Sequence, residues 1–250
     1  MTVKIEIVTH CLATKYEHFA SALCYQLSSL VKSEIQCRVL PVVCCVPNDD
    51  RTKQVLQHFR KLMPIKVISA TNEGILGRRA ILRNLAAKTS KADLVWFCDA
   101  DHVFLDGVLD RLALLEWPEG ASMIYPREIM IHKDHSTGDQ ACRRIAFSDE
   151  AIVTGTGPRV VHLNPSEFVP KEYNRAIGGV QIVRGDFARR FGYLDGDEAW
   201  QKPAEVPFGD FRDDVAYRRF CEAKGPIVAV DLPGVHRVRH SETSYQEPKT

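Results

Sequence analysis

The sequence lacks long apolar runs, an excess of either charge, and paired-cysteine motifs. Its apolar stretches fall well short of the roughly 20 residues that a membrane-spanning helix needs. Lysine and arginine number 33 against 32 aspartates and glutamates, so a general nucleic-acid binder is not expected. Neither a repeat nor a low-complexity linker divides the 250 residues, which favours a single domain.

None of the eight cysteines belongs to a C-x-x-C pair, and most lie inside apolar stretches. Free thiols in such places behave as small hydrophobic groups, so we expect reduced thiols rather than a zinc site or disulfides. Residues 1–5 lead directly into an alternating strand pattern instead of a signal peptide. We therefore expect a cytoplasmic protein. A catalytic domain of a longer, anchored protein is the alternative.

Strand and helix patterns alternate through the first hundred residues. The predicted strands are 3–8, 37–46, 65–68 and 93–98, and the predicted helices are 16–31, 52–62 and 77–88. This alternation predicts an α/β fold with a mostly parallel sheet between helices. Ligands of such sheets bind beyond the carboxyl ends of the strands, where Asp99 falls.

The second half of the chain is less regular. We predict strands at 123–125, 179–183 and 227–230 and a helix at 213–223. The polar stretch 134–149 is expected to be a mobile loop, and the proline-containing stretch 160–173 is expected to run over the surface. The pattern indicates a nucleotide-holding half, 1–110, and an acceptor-shaping half, 111–250, within one domain.

Asp99-Ala100-Asp101 follows an apolar strand and is the first candidate for chemistry. Two carboxylates in this spacing can share Mg²⁺ or Mn²⁺, which leave coordination positions open for phosphate oxygens. Acidic residues after a strand are also ordinary turn formers. The buried strand before them favours function, because two charges there need partners.

Other candidates are weaker when taken singly. Asp213 and Asp214 open a predicted helix, where they are either partners of the helix dipole or a general base for an acceptor hydroxyl. His236 and His240 follow a strand, and either is a candidate metal ligand or a surface residue.

Four landmarks, in order along nearly the whole chain, resemble the GT-A glycosyltransferases, especially family 2 and the polypeptide GalNAc-transferases. The run Asn72-x-Gly74, Arg83-Asn84 and 95–101 is similar to the pattern NxG…ARNxG…FLDxD. Gly178-Gly179 begins a segment similar to GGxxxxRRxxFxxxGxFD. Asp213-Asp214 is similar to the "ED" helix, and His236 falls near the late metal-binding histidine.

The resemblance implies a GT-A, Rossmann-like fold and a metal-dependent transfer from a nucleotide-sugar, with UDP as the expected nucleotide. The implied metal ligands are Asp101, Asp99 and His236, with His240 as the alternative histidine. Donor contacts are implied for Thr9, Asp50, Asn72, Gly74, Arg83, Asp99 and Ala100. Gly178 and Gly179 would face the acceptor, Asp214 would be the base, and Asp213 is the second candidate.

Two other functions compete with this interpretation. Haloacid-dehalogenase-type phosphatases also have Asp-x-Asp after an apolar strand, but that fold normally opens with the motif. A member of the transferase family that binds a sugar nucleotide or glycan without turnover is the other alternative. A base that attacks in line would invert the anomeric carbon, whereas the GalNAc-transferases retain configuration. The acceptor is expected to be a glycan, a lipid-linked group or a protein.

Overall fold

The computed structural model describes residues 2–14, 16–32, 36–105, 107–147, 157–203 and 212–241. Its strands are β1 (Lys4–His10), β2 (Arg38–Cys45), β3 (Lys66–Ser69), β4 (Leu94–Asp99), β5 (His102–Phe104), β6 (Met123–Pro126), β7 (Glu128–His132), β8 (Phe168–Glu172), β9 (Gln181–Arg184), β10 (Ile227–Val230) and β11 (Val235–Arg237). Its helices are α1 (Glu17–Lys32), α2 (Asp50–Phe59), α3 (Glu73–Gly77), α4 (Arg79–Thr89), α5 (Val108–Leu114), α6 (His135–Arg143), α7 (Gly185–Phe191) and α8 (Asp213–Glu222).

Seven of these strands form the larger sheet, in the order β10-β6-β9-β4-β1-β2-β3. β1 pairs in parallel with both β2 and β4, and β2 pairs in parallel with β3. Strand β9 is inserted antiparallel to β4 and β6. The prediction of a mostly parallel central sheet is confirmed.

Helices cover both faces of this sheet, as two adjacent residues of β4 show. Cys98 Sγ lies 3.5 Å from Gln26 Nε2 of α1, whereas Asp99 Oδ1 lies 3.2 Å from Arg83 Nη2 of α4. Successive side chains of a strand point to opposite faces, so α1 and α4 lie on opposite sides. The buried strand from Leu94 to Cys98 is apolar throughout because both of its faces are covered.

A second sheet, which the sequence patterns did not reveal, has the order β5-β11-β7-β8. β11 is antiparallel to β5 and parallel to β7, and β7 is antiparallel to β8. β5 follows β4 after a single turn, so this sheet meets the larger one at Asp99-Ala100-Asp101.

Two local predictions are corrected and one, for the stretch 160–173, is extended. The stretch 134–149 contains α6, which begins where Asp134 Oδ1 accepts the Thr137 N–H at 2.8 Å; residues 148–149 lie outside the described ranges. The stretch 160–173 ends in strand β8. The single helix 77–88 is instead α3 and α4, separated by Arg78, whose φ of −86° and ψ of 85° are not helical.

All eight cysteines lie in described parts of the chain and are free, with seven of them buried and Cys37 half-buried. Among the described residues, no helix has the length and apolar character needed to cross a membrane. The division into halves at residue 110 stays a prediction.

Candidate active site

The turn between β4 and β5 holds Asp99 and Asp101 in a fixed position. From α1, the Gln26 side chain donates from Nε2 to the Asp99 carbonyl at 2.9 Å and lies 3.1 Å from the His102 carbonyl. From beyond β11, the Val238 N–H donates to the Asp101 carbonyl at 2.7 Å. The backbone of the motif is therefore held by α1 on one side and by the residue that follows β11 on the other.

Two arginines of α4 converge on one oxygen of Asp99. Arg79 Nη1 lies 3.0 Å and Arg83 Nη2 lies 3.2 Å from Asp99 Oδ1. Burial alone would raise the pKa of Asp99, but the charges of these arginines outweigh it and lower the pKa. The carboxylate stays ionised, with a third of its side chain (33%) exposed at the sheet edge.

Arg83 is fully buried and begins a chain of hydrogen bonds across the site. Its Nη1 donates to Tyr193 Oη at 3.1 Å, and that hydroxyl donates to Gln181 Oε1 at 3.0 Å. Gln181 Nε2 in turn donates to the Asp214 carbonyl at 2.9 Å. This network joins Asp99 to the start of α8, and it explains why a glutamine interrupts the apolar strand β9.

Asp214 lies at the open edge of the site. Its side chain is 22% exposed, and its Oδ1 lies 4.0 Å from Nη2 of Arg79, the arginine that also binds Asp99. A Cβ placed on Gly178 would lie 3.2–3.3 Å from the Asp214 carboxylate group, so the absence of a side chain at Gly178 leaves room beside it. The structure therefore brings Asp99, Asp214 and Gly178 together.

Asp213 has a different environment. It is buried, its Oδ2 accepts the Ala80 N–H at 2.8 Å, and its Oδ1 lies 3.7 Å from Arg78 Nη1. Burial raises its pKa in spite of these partners. Asp213 therefore ties the start of α4 to α8, and its place as the second candidate base stays a prediction.

Asp101 is bound by a different arginine. Its Oδ2 lies 2.8 Å from Arg237 Nε, and its Oδ1 lies 2.8 Å from His102 Nδ1, without the alignment of a hydrogen bond. Burial would raise the pKa of Asp101, but the Arg237 charge, aided by His102, holds it well below its usual range. The side chain of Asp101 is only 8% exposed.

His236 points away from Asp101, and its assignment as a metal ligand stays a prediction. In the β11–β5 register Arg237 lies opposite His102, and its side chain reaches Asp101. The preceding residue points to the other face, where the His236 ring lies 5.0 Å from that of Phe168. Within the described ranges no group of three His, Cys, Asp or Glu side chains could hold a metal ion.

The alternative histidine, His240, is also buried. Its ring lies 5.6 Å from that of His18 and 5.7 Å from that of Phe19, both on α1. Burial lowers the pKa of His240 to about 4, although the Asp101 charge acts in the opposite direction. It is thus a neutral side chain packed behind the Asp101 turn.

Two of the expected donor residues have other partners in the structure, and their donor contacts stay predictions. The Thr9 hydroxyl donates to Gln26 Oε1 at 2.9 Å in the interior, on the α1 side of β1. Asp50 is 80% exposed and pairs with Lys53 at 2.8 Å. The preceding residue, Asp49, is the buried acid, and it accepts the Ala13 N–H at 2.6 Å and caps α2.

Three further expected donor residues lie at the start of α3 or in the turn between β4 and β5. Asn72 caps α3 by accepting the Ile75 N–H at 2.9 Å, and Gly74 lies within that short helix. Ala100 is buried in the turn between the two acids. Their donor contacts stay predictions.

Gly179, the second expected acceptor residue, fulfils a packing requirement. A Cβ on Gly179 would overlap the fully buried ring of His102. Its carbonyl also accepts the indole N–H of Trp96 at 3.1 Å. The acceptor contact of Gly179 is untested, but its lack of a side chain is explained.

Sequence reasoning missed several residues that shape the site. The pair Arg78-Arg79 would ordinarily be a solvated pair, yet the two side chains are only 12% and 16% exposed. Gln181 and Tyr193 lie within the segment that follows Gly178 and Gly179, and a polar residue in an apolar strand was the available signal. Arg237 gave no signal of its own.

No family model matches the chain, and no curated protein matches it in sequence. Among solved structures, residues 1–349 of S. aureus TarS match with a TM-score of 0.57 and 16% identity, over 94% of this chain and 60% of that one. The same fragment in complex with UDP matches at 18% identity with an equal TM-score. A mannosyltransferase, PcManGT from Pyrobaculum calidifontis, in complex with GDP-Man and Mn²⁺, gives a TM-score of 0.52 at 10% identity, over 97% of this chain and 59% of that one.

The fold is that of the GT-A glycosyltransferases. The chain spans about 60% of the TarS fragment and of PcManGT. At these identities the likeness establishes the fold alone. It is nevertheless a different fold from that expected of a haloacid-dehalogenase-type phosphatase, which argues against that alternative.

Proposed function

We propose that the chain is a glycosyltransferase that moves a sugar from a nucleoside diphosphate to an acceptor hydroxyl. The observation that carries the proposal is the position of Arg79, whose guanidinium reaches both Asp99 at 3.0 Å and Asp214 at 4.0 Å. A positive group between these acids suits a leaving diphosphate beside an attacking hydroxyl. The matched TarS and PcManGT structures, which hold UDP and GDP-Man, support a donor of this class.

Asp214 is the proposed general base. It is partly exposed, whereas Asp213 is buried and already accepts the Ala80 N–H. Its carboxylate would take the proton of the acceptor hydroxyl while that oxygen bonds to the anomeric carbon and the bond to the diphosphate oxygen breaks. Attack in line with the leaving group inverts the anomeric configuration.

In this proposal, Arg79 and the divalent cation together neutralise the negative charge of the leaving diphosphate. The carboxylates of Asp99 and Asp101 fit Mn²⁺ or Mg²⁺, because such ions are often held by one or two carboxylates together with substrate phosphates. The exposed edge of Asp99 and the poorly satisfied Asp101 Oδ1 are the available oxygens. When bound, the cation supplies positive charge to the diphosphate.

The finer assignments belong to the same proposal. We propose UDP as the nucleotide, and a glycan, a lipid-linked group or a protein as the acceptor. A hexose or an N-acetylhexosamine is the proposed sugar class, and cytoplasmic location stays a prediction. A thermal-shift screen of UDP- and GDP-sugars, with and without MnCl₂, identifies the donor, because a ligand that binds the folded state raises the melting temperature.

The Asp214→Asn variant tests the base. We expect transfer to slow by about 10²- to 10⁴-fold, because a neutral amide cannot accept the proton, while the nucleotide affinity stays close to that of wild type. NMR of the product would show inverted anomeric configuration. Asp186→Asn is the matched control, because Asp186 is 63% exposed and pairs only with its neighbour Arg184 among the ion pairs of the described residues.

Two outcomes would overturn parts of this proposal. Wild-type transfer rates in Asp214→Asn would remove Asp214 as the base, and a retained anomeric configuration would remove in-line attack by the acceptor. Donor binding by the wild type without either transfer or hydrolysis, across the screened acceptors, would favour the non-catalytic member.

A further inference from the structure

Arg237 is paired with Asp101, one of the two carboxylates that a divalent cation would use. Its Nε lies 2.8 Å from Asp101 Oδ2, and the pair is well shielded, with the two side chains 25% and 8% exposed. An ion pair of this geometry in a partly dry site is stronger than one on the surface. A cation that binds Asp101 must therefore displace Arg237 or work against its charge.

The register of β11 makes this arrangement a property of the fold. Arg237 lies opposite His102 in β5, directly after Asp101, while His236 points to the other face. The described part of the chain thus offers Asp99 and Asp101 without a third ligand from a histidine. Two carboxylates that are both paired with arginines form a weak cation site on their own.

The charges of the site indicate what would change this. Asp99 is bound by Arg79 and Arg83, and Asp101 by Arg237, so both carboxylates of the motif already have cationic partners, and Arg79 is shared with Asp214. A doubly charged cation alone would have to compete with these guanidinium groups. A diphosphate would bring negative charge, ligands for the cation and a bidentate partner for the displaced guanidinium.

We propose that Arg237 competes with the divalent cation for Asp101, so that the cation binds tightly only together with a nucleoside diphosphate. This inference rests on the proposed function and deepens it. Arg237 is then a positioning residue that couples the cation to the donor, and it prevents the empty site from holding a metal.

Mn²⁺ binding to the wild-type protein is the first test, measured by electron paramagnetic resonance of the free ion. We expect the affinity for Mn²⁺ to rise by at least about tenfold when saturating UDP or GDP is present, the size of effect that neighbouring groups exert on a metal ligand. Equal Mn²⁺ affinity with and without a nucleotide that binds would overturn the inference.

The Arg237→Gln variant is the second test. It should bind Mn²⁺ alone at least about tenfold more tightly than wild type, because Asp101 loses its competing cation, and nucleotide should then add less. Arg237→Met keeps much of the aliphatic stem and replaces Arg237→Gln if that variant does not fold. The matched control is Arg184→Gln, which removes an equal charge at a 54% exposed position opposite Leu94, at the start of β4.

The outcomes separate this inference from the proposed function. Nucleotide-dependent Mn²⁺ binding that is identical in wild type and in Arg237→Gln or Arg237→Met would overturn the role of Arg237 and leave the transferase proposal intact. Failure of the wild type to bind any tested nucleotide or nucleotide-sugar, with or without Mn²⁺, by calorimetry would overturn both.

Discussion

Replacing Arg83 with methionine removes the one guanidinium that is wholly enclosed in the site. The group contacts Tyr193 Oη at 3.1 Å, Asp99 Oδ1 at 3.2 Å and the Cys98 carbonyl at 3.3 Å. Its carbon Cζ also lies 5.9 Å from the centre of the Phe97 ring. Methionine keeps the length of the stem, so the change isolates the loss of the charge and its hydrogen bonds.

The expected loss follows from these contacts. Removing one partner of a buried ion pair costs about 3 to 5 kcal/mol because the other charge is left uncompensated. Asp99 keeps a third of its surface in water and also binds Arg79, which moves the estimate toward the lower limit. We therefore expect the free energy of unfolding to fall by about 3 kcal/mol.

Urea denaturation measures this change, with Tyr193→Phe as the comparison. Removal of the Tyr193 hydroxyl takes away one hydrogen bond to Arg83 and one to Gln181, and should cost about 1 to 2 kcal/mol. The double variant should lose less stability than the sum of the losses of the two single variants, because both changes remove the same contact between Arg83 and Tyr193. A loss below about 1 kcal/mol for Arg83→Met would refute the enclosed ion pair on which the site is built.

Three other predictions concern packing and pH. Gly179→Ala should lower the free energy of unfolding by about 1 to 3 kcal/mol, since the new methyl group overlaps the buried ring of His102. Gly178→Ala should instead slow transfer with little loss of stability, because the new Cβ would lie 3.2 Å from the Asp214 side chain. Urea denaturation and a transfer assay on both variants distinguish these effects. A large loss of stability in Gly178→Ala with an unchanged transfer rate would contradict this account. Burial lowers the pKa of His240 to about 4 in the folded chain. In the unfolded chain this side chain has its ordinary pKa near 6.5, so the unfolded chain binds the proton first as the pH falls. Stability should therefore fall by up to about 3 kcal/mol as pH drops from about 6.5 to 4, and His240→Gln should flatten this part of the profile; an unchanged slope would exclude His240 as the cause.

The sequence alone determined the parallel strands of the larger sheet and the edge at which their carboxyl ends lie, where a ligand is expected. Strands β2 and β4 are largely apolar because they are covered on both faces, β1 alternates, and helix α1 has its own apolar stripe, so each is recorded in a local pattern. The same pattern placed Asp99 at the end of a buried strand. The resemblance to the GT-A glycosyltransferases, and not this pattern, implied that Asp99, Arg83 and Asp214 belong to one site, and they are joined in the structure through hydrogen bonds and Arg79.

Short strands escaped the sequence because their partners are distant. β5 and β11 are each only three residues long, and a pattern of that length has no period to recognise. They become strands because each supplies the hydrogen bonds that the other needs, across a long separation in the chain. The second sheet is therefore a property of the folded chain.

The tertiary structure also decided which neighbouring residue faces the motif. His236 and Arg237 are adjacent, and the sequence favoured the histidine, but the register with β5 turns the arginine toward Asp101. The same holds for Asp213 and Asp214, of which only the second is partly exposed. The sequence shows which residue stands at each position, whereas the direction in which each side chain points is fixed only when strands and helices pair.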